Sequence, residues 1–244
     1  MKHTSKSHDL RPLLAVGAHP DDIEFACGAI IARETDAGRP VHFLVCSRGE
    51  AASHGTPQKR RREATRAAAI LGATLQWIEL DGDAKLEMRA SHAINIARII
   101  RKIRPGIVLA PTLVENQHPD HWRLGRIVRD AARLARFAGL KELRSLIPHS
   151  IDQLLYYASS ADSEPRDRIG LLIDVSAGGA VEKWVAAMAA HVSQHVTRNY
   201  TQLHLARAKA AGLRAGVMYA IPLFCEDPIV VDSLSPISRG ARNF

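Results

Sequence analysis

The stretch that decides the fold is residues 13–28, LLAVGAHPDDIEFACG. It opens with four apolar residues, 13–16, a pattern typical of a strand buried on both faces of a parallel sheet. His19, Asp21 and Asp22 follow at once, and apolar residues then recur at helical spacing. Open α/β sheets bind their ligands beyond the carboxyl ends of the strands. We therefore interpret this stretch as one half of an active site, lying between a strand and a helix.

The rest of the chain repeats this alternation of strand and helix signals. Strands are predicted at 13–16, 41–46, 75–80, 107–110, 153–157 and 171–175, with a weak last element at 217–224. Helices are predicted after residue 22 and at 58–71 (with Pro57 in the first turn), 93–103 (with Ser91 as N-cap), 122–138, 178–195 and 201–211. Strands separated by helices indicate an α/β fold, a Rossmann-like, mainly parallel sheet with helices on both faces. No Gly-x-Gly-x-x-Gly follows the first strand, which argues against a dinucleotide-binding protein.

Length and composition place the chain among ordinary globular proteins. Its 244 residues, 46% hydrophobic and 24% charged, can bury one sizeable core, so we predict one domain over 1–244 with 1–10 as a flexible polar tail. The basic N-terminus is unlike a secretory signal, and no apolar run reaches the ~18 residues of a membrane span. We expect a cytoplasmic protein with no membrane partner. The scattered, odd-numbered cysteines Cys27, Cys46 and Cys225 are predicted to be free thiols.

The formal net charge of +8 raises the hypothesis of nucleic-acid binding. The densest basic run is 59–62, and Glu63 and Arg66 continue it at helical spacing, as on a solvated helix face. Interleaved aromatic residues and nucleic-acid motifs are absent from the sequence. We therefore predict no nucleic-acid partner. A basic nucleic-acid-binding protein stays an alternative, which a steep salt dependence insensitive to chelators would favour.

A second polar cluster, His118-Pro119-Asp120-His121, follows the predicted strand at 107–110. Because the carboxyl ends of parallel strands share one edge, this cluster and the one at 19–22 should lie close together. Two imidazoles and a carboxylate form a three-ligand set suited to a hydrolytic metal with open positions for water. Each cluster alone is also compatible with helix capping, since Asp and Pro favour helix starts. Their occurrence at equivalent points favours the metal site.

The two motifs, Ala18-His19-Pro20-Asp21-Asp22-x-Glu24 and His118-Pro119-Asp120-His121, together resemble those of the LmbE-like (PIG-L) family of zinc-dependent de-N-acetylases. Segments 55–72, 173–176 and 191–194 resemble further parts of that family. The resemblance implies a hydrolase that removes the acetyl group from an N-acetylglucosamine-type sugar or glycoconjugate, similar to the bacillithiol- and mycothiol-pathway deacetylases. It also implies a homo-oligomer, a trimer or hexamer.

The resemblance implies that His19, Asp22 and His121 hold Zn²⁺, or another divalent metal such as Fe²⁺. It implies that Asp21 is the general base that takes a proton from the metal-bound water. This division also makes physical sense, because the side chains of neighbouring residues diverge and adjacent aspartates cannot easily both ligate one ion. An amide is a poor electrophile, so a metal is needed to polarise its carbonyl and to supply hydroxide near neutral pH.

The remaining roles also follow from the resemblance. His118 is expected to steady the tetrahedral intermediate and serve the leaving amine, with Asp120 holding its orientation. Arg60 matches an arginine that contacts substrate, where it would grip a hydroxyl or an acidic group. Tyr200 resembles the family's oxyanion tyrosine, and Tyr219 is the fallback candidate.

Two positions depart from the family pattern and bear on substrate preference. Asn116 stands where an Asp often precedes the second motif, and Ile221 stands where an acidic residue often follows Tyr219-Ala220. A zinc amidase acting on a thiol-sugar conjugate would share every residue named above, so this activity stays an alternative to deacetylation.

Overall fold

A computed structural model describes residues 10–115, 118–167, 170–234, 237 and 240. The tail expected at 1–10 lies almost entirely outside the described residues, as does Asn116. The strands are β1 Leu13–Gly17, β2 Val41–Val45, β3 Thr74–Trp77, β4 Ile107–Pro111, β5 Gln153–Tyr157, β6 Leu171–Asp174 and β7 Ala220–Phe224. The helices are α1 Asp22–Asp36, α2 Pro57–Ile70, α3 Ala90–Ile103, α4 Pro119–Leu134, α5 Ala180–Ala189 and α6 Tyr200–Arg214.

These seven strands form one sheet in the order β3-β2-β1-β4-β5-β7-β6. The first five strands in this order, from β3 to β5, all run parallel to one another. Leu13 of β1 lies opposite Val41 of β2 and Ile107 of β4. Strand β7 runs antiparallel to both β5 and β6. The predicted mainly parallel α/β sheet is confirmed. Because β1 and β4 are parallel neighbours, the segments that follow them meet at one edge.

Two apolar layers cover the faces of the sheet. One contains the buried faces of α1, α2 and α5, with Trp184 among its largest fully buried side chains. The other contains α3 and α4. At Gly28 of α1 a Cβ atom would lie 2.5 Å from the Trp184 ring, so only glycine fits there. Trp184 Nε1 also donates to the Glu24 carbonyl over 2.7 Å, which fixes α1 on α5 directly behind the first motif.

Several element boundaries differ from the sequence-based ones. Pro57 opens α2 as predicted, and the Thr56 side chain accepts from Lys59 N at 3.2 Å. The N-cap predicted at Ser91 is wrong, because α3 already begins at Ala90. The helix predicted at 178–195 is interrupted after Ala189, and a 3-10 turn follows at Val192–Gln194.

Among the described residues, no helix combines the length and hydropathy required to cross a membrane. All three cysteines are free thiols, and burial raises the pKa of Cys27 and Cys46.

Candidate metal centre and active site

The turn between β1 and α1 is held by the first residue of the helix. The carboxylate of Asp22 accepts hydrogen bonds through Oδ2 from the backbone N–H groups of Ala18, at 2.8 Å, and His19, at 2.9 Å. The other oxygen, Oδ1, lies 3.0 Å from Nε2 of His121 in the first turn of α4. Asp22 therefore closes its own loop and at the same time faces the second motif across the edge of the sheet.

His19, Asp22 and His121 come together as predicted from the sequence. His19 Nδ1 lies 3.5 Å from Asp22 Oδ2, and His121 Nε2 lies 3.0 Å from Asp22 Oδ1. Ligand atoms around a tetrahedral Zn²⁺ with bonds of about 2.0–2.1 Å are separated by about 3.3 Å. The two distances from Asp22 are close to this separation. Among the described residues, the groups whose donor atoms all lie within 4.8 Å of one another are His19 with His118 and His121, and His19 with Asp83, His118 and Asp120. The cluster as a whole therefore offers nitrogen and oxygen donors of the kind that bind Zn²⁺.

Further polar groups orient the two imidazoles. His19 Nε2 lies 3.1 Å from Asp83 Oδ1 and 3.2 Å from Asp120 Oδ2, so its outer nitrogen faces carboxylates while Nδ1 faces Asp22. On His121 the outer nitrogen Nδ1 lies 3.0 Å from the Ser159 hydroxyl. Partners of this kind fix the tautomer and ring orientation of metal-binding histidines.

The histidines and aspartates of the cluster shift one another's pKa values in opposite directions. Burial alone would lower the pKa of His19, but the carboxylates of Asp22, Asp120 and Asp83 outweigh it and hold that pKa well above its usual value. Burial alone would raise the pKa of Asp22, yet His121 and His19 hold it well below its usual range. Asp22 is therefore an ionised carboxylate, and a metal bound at His19 would displace a proton from its ring.

Asp21 is held in an unusual backbone conformation. Its φ angle is 131°, a region that residues other than glycine rarely adopt. Its Oδ2 accepts from Arg60 Nη2 at 2.9 Å. Burial raises the pKa of Asp21, Arg60 opposes this, and the neighbouring Asp22 charge adds to it. Strain at a nearly buried carboxylate beside a candidate metal-ligand set is typical of functional residues, and a raised pKa suits a proton acceptor.

The hydrogen bonds of Arg60 differ from those expected of an arginine that binds substrate. Its side chain is 4% exposed, and besides Asp21 it donates to the carbonyls of Gly49, at 3.0 Å, and Pro20, at 2.9 Å. Its guanidinium is thus committed to the loops around Asp21. Substrate contact by Arg60 stays a prediction, and the contacts found in the structure are those of a residue that positions Asp21.

His118, the N-cap of α4, and Asp120 in its first turn both lie beside His19. The Asp120 carboxylate accepts hydrogen bonds from the backbone N–H groups of Ala84 and Leu86, which hold it in place. In this position it faces Nε2 of His19. His118 Nε2 instead lies 3.5 Å from Asp83 Oδ1, and its Nδ1 accepts from the Asp120 backbone N–H at 3.4 Å. The carboxylate that meets both His19 and His118 is therefore Asp83.

A cavity of about 650 Å³ lies in front of these groups, and residues at the start of α6 also line it. The site residues that line it are His19, Asp21, Asp22, Arg60, Asp83, His118 and His121. Tyr200, the first residue of α6, lines this cavity and stacks on Phe25 with ring centroids 5.5 Å apart. The fallback residue Tyr219 is placed elsewhere: its backbone pairs with Ser176 and its side chain packs against an apolar layer. Ile221 lies in β7, buried in the same layer.

Sequence reasoning misses two residues of this site. In the sequence Asp83 stands out only as part of a turn, and Ser159 belongs to neither motif, yet both line the cavity. Both follow strands that end at the same edge, Asp83 after β3 and Ser159 after β5. That rule, already used for the two motifs, could have identified them.

Comparison with known proteins agrees with this geometry. A sequence model described as "PIG-L: GlcNAc-PI de-N-acetylase" matches residues 14–132, from β1 into α4. This stretch, just under half of the chain, is therefore similar to the PIG-L family. The predicted resemblance is confirmed.

Proteins similar to this chain include enzymes of two kinds. Diacetylchitobiose deacetylase of Thermococcus kodakarensis is 33% identical over 62% of this chain, and the match spans 61% of that enzyme's length. The 4-oxalmesaconate hydratase of Pseudomonas putida is 23% identical over 85% of this chain and 83% of its own. Among solved structures, the conserved protein TT1542 of Thermus thermophilus is 29% identical with a TM-score of 0.82, covering 95% of this chain and 100% of its own.

Proposed function

We propose that the protein hydrolyses the N-acetyl amide of an N-acetylglucosamine-type sugar or glycoconjugate, using one divalent metal ion, Zn²⁺ or a similar ion, held by His19, Asp22 and His121. The observation that carries this proposal is the convergence of these three donors beside the nearly buried carboxylate of Asp21. The PIG-L match over residues 14–132 and the deacetylase relative support the acetyl-sugar substrate class.

The metal ion, when bound, would polarise the amide carbonyl and acidify the attacking water. Asp21 would accept the proton of that water. Its carboxylate is held at 2.9 Å by Arg60, and burial raises its pKa, which brings it closer to the pH at which a base works best.

His118 and Tyr200 would act on the other side of the reacting carbon. The His118 side chain is 36% exposed and faces the cavity, so it can reach a leaving amine and give it a proton. The Tyr200 hydroxyl would donate a hydrogen bond to the oxyanion as it develops, and Phe25 holds the Tyr200 ring by stacking. Asp83 would keep His118 in place, since its Oδ1 lies 3.5 Å from His118 Nε2.

A panel of N-acetylated sugars tests this proposal. Metal-free protein is reloaded with Zn²⁺ or Fe²⁺ and incubated with N-acetylglucosamine, diacetylchitobiose and acidic or thiol-bearing N-acetylglucosamine conjugates. Equal amounts of acetate and free amine are expected from at least one substrate, and Asp21→Asn should abolish both products while keeping the metal. Cleavage confined to an amide other than the acetyl group would support the thiol-sugar amidase instead. Loaded enzyme that releases neither product from any member would contradict the proposal.

A hydratase is the second candidate function. This candidate is favoured by the extent of the sequence match. The match to the 4-oxalmesaconate hydratase covers a larger share of this chain, and of the relative, than the match to diacetylchitobiose deacetylase does. A metal with an adjacent base also suits the addition of water to a double bond. Unsaturated keto-acids of the 4-oxalmesaconate kind belong in the same panel, because hydration consumes their ultraviolet absorbance and releases no acetate.

A further inference from the structure

A second cavity lies beside the catalytic one, with a volume of about 510 Å³. Residues of α1, α5, α6 and β7 line it. Its volume is within the range of about 300–1,000 Å³ that is typical of small-molecule sites. We propose that this cavity binds the alkyl chain of N-acyl groups longer than acetyl, so that the protein also removes such groups from an amino sugar, an activity that rests on the proposed function.

The two cavities adjoin along α6. Ala161, His204 and Arg207 line both of them. Burial, aided by Arg207, lowers the pKa of His204 to about 3, so its ring is neutral near pH 7. The guanidinium of Arg207 is paired with the carboxylate of Glu164, with 2.9 Å between Nη2 and Oε1. An alkyl chain that crosses this boundary would therefore pass a neutral ring and an already balanced charge.

Buried apolar side chains form much of the wall of the second cavity. They are Ala26, Ala158, Trp184, Ala208 and Phe224. Folded cores are close-packed and contain few voids larger than a water molecule, and apolar cavities bind apolar ligands. Arg166 and Arg214 also line this cavity, but both are exposed, so their charged groups can stay in water while their alkyl stems add apolar surface. This wall suits a methylene chain better than the hydroxyl groups of a sugar.

The catalytic cavity has an apolar side that leads toward the second one. Phe25 stacks on both Tyr200 and His204, with ring centroids 5.5 Å apart in each pair. Leu203 lines the same cavity, and 41% of its surface is exposed. With the amide at the His/Asp cluster, an acyl chain would extend along this apolar side, and the sugar would stay among the polar groups.

The reaction is the same for a longer chain as for acetyl. The oxygen of water bonds to the acyl carbon, the C–N bond breaks, and the nitrogen takes up a proton. The products are an alkyl carboxylate and the free amino sugar. Each methylene group that moves from water into an apolar cavity strengthens binding by up to about fourfold.

A series of N-acylglucosamines with acetyl, butanoyl, hexanoyl and octanoyl chains tests the inference. Release of free amine by the Zn²⁺-loaded wild type gives kcat/KM for each chain. Calorimetric titration of Zn²⁺-loaded Asp21→Asn gives the affinity without turnover. From acetyl to hexanoyl, both quantities are expected to rise by about two- to fourfold for each added methylene.

Filling the second cavity should remove this preference. Ala208 lines it from α6, so Ala208→Leu should lower the ratio of hexanoyl to acetyl activity by about tenfold or more. The matched control is Ala206→Leu, the same change at an exposed position of α6 that is not among the described residues lining either cavity. It should keep the wild-type ratio. Ala211→Phe fills the same cavity from a half-buried position and replaces Ala208→Leu if that variant fails to fold.

Activity and affinity that decrease from acetyl to hexanoyl would overturn the inference and leave the proposed deacetylation intact. An unchanged ratio of hexanoyl to acetyl activity in both Ala208→Leu and Ala211→Phe would also overturn it. If no member of the series releases amine, the proposed function is refuted. An affinity for Asp21→Asn that still rises with chain length, and that Ala208→Leu removes in the same background, would then leave the second cavity assigned to an alkyl chain.

Discussion

Replacement of Arg60 separates a substrate-binding role from a role in holding Asp21. In Arg60→Ala the carboxylate of Asp21 loses its 2.9 Å partner, and the carbonyls of Gly49 and Pro20 lose their donor. The pair is nearly buried, with side-chain exposures of 4% and 14%. Removing one member of a buried ion pair typically costs about 3–5 kcal/mol in the free energy of unfolding. That is a large part of the roughly 5–15 kcal/mol typical of a folded domain.

The catalytic effect of Arg60→Ala should fall on kcat. A base displaced by about 1 Å commonly costs about 10²-fold in rate. Because Arg60 lowers the pKa of Asp21 against the effect of burial, its loss should raise that pKa further. Asp21 acts as a base only when ionised, so the acid limb of the rate profile should move to higher pH.

A double-mutant cycle provides the decisive assay. Urea unfolding and steady-state kinetics are measured for wild type, Arg60→Ala, Asp21→Asn and the double variant, with the exposed Arg62→Ala as control. Once Asp21 is already neutral, Arg60→Ala should add little further loss in kcat, because the two residues act as one unit. Arg60→Lys should recover part of both effects. A raised KM for acidic substrates with unchanged kcat, or additive losses in the double variant, would refute the positioning role and restore Arg60 as a substrate contact.

Three further predictions concern the metal, the oxyanion and pH. His121→Ala should lower the metal content at least tenfold at limiting Zn²⁺, because loss of even a residue that only orients a ligand costs about 10–100-fold in metal affinity. Full metal occupancy of this variant by mass spectrometry would exclude His121 from the ligand set. Tyr200→Phe should reduce kcat by the equivalent of about 2.7–4 kcal/mol, with little change in KM or in metal content. The control Tyr219→Phe should keep the wild-type kcat. Equal kcat in Tyr200→Phe and wild type would contradict a role of Tyr200 at the oxyanion. Burial, aided by Arg207, lowers the pKa of His204 to about 3, so the unfolded chain binds a proton below its pKa of about 6.5 while the native chain does not. The free energy of unfolding therefore decreases as pH falls from about 6.5 toward 3, and His204 contributes about 2 kcal/mol of this decrease between pH 7 and pH 5. In urea unfolding experiments, His204→Phe should lack this contribution.

The first motif was predictable from sequence because it is local. Asp22 reaches back only three and four residues to the backbone of His19 and Ala18, so the turn is specified within the motif itself. The apolar strand before it and the helix after it are equally local signals. The same holds for the start of α2 at Pro57, where the Thr56 cap and the proline φ angle act within one turn.

The partners of those motifs were decided by tertiary structure. Asp83 is remote along the chain from both His19 and His118, and only the pairing of β3 with β2 and β2 with β1 brings it to them. Arg60 is recognisable in the sequence, but its acceptors Gly49 and Pro20 are carbonyl groups of loops, which carry no side-chain signature.

The sequence by itself determined the alternation of strands and helices and the two His/Asp clusters, because hydrophobic period and residue chemistry are local properties of the chain. These clusters contain the candidate metal ligands His19, Asp22 and His121 and the candidate base Asp21. Only the tertiary structure decided that the Asp120 carboxylate faces His19, that Asp83 lies between His19 and His118, and that β7 runs antiparallel to its neighbours. The physical reason is that hydrogen-bond partners and strand direction depend on which distant segments pack together, a property of the whole sheet that no short stretch of sequence encodes.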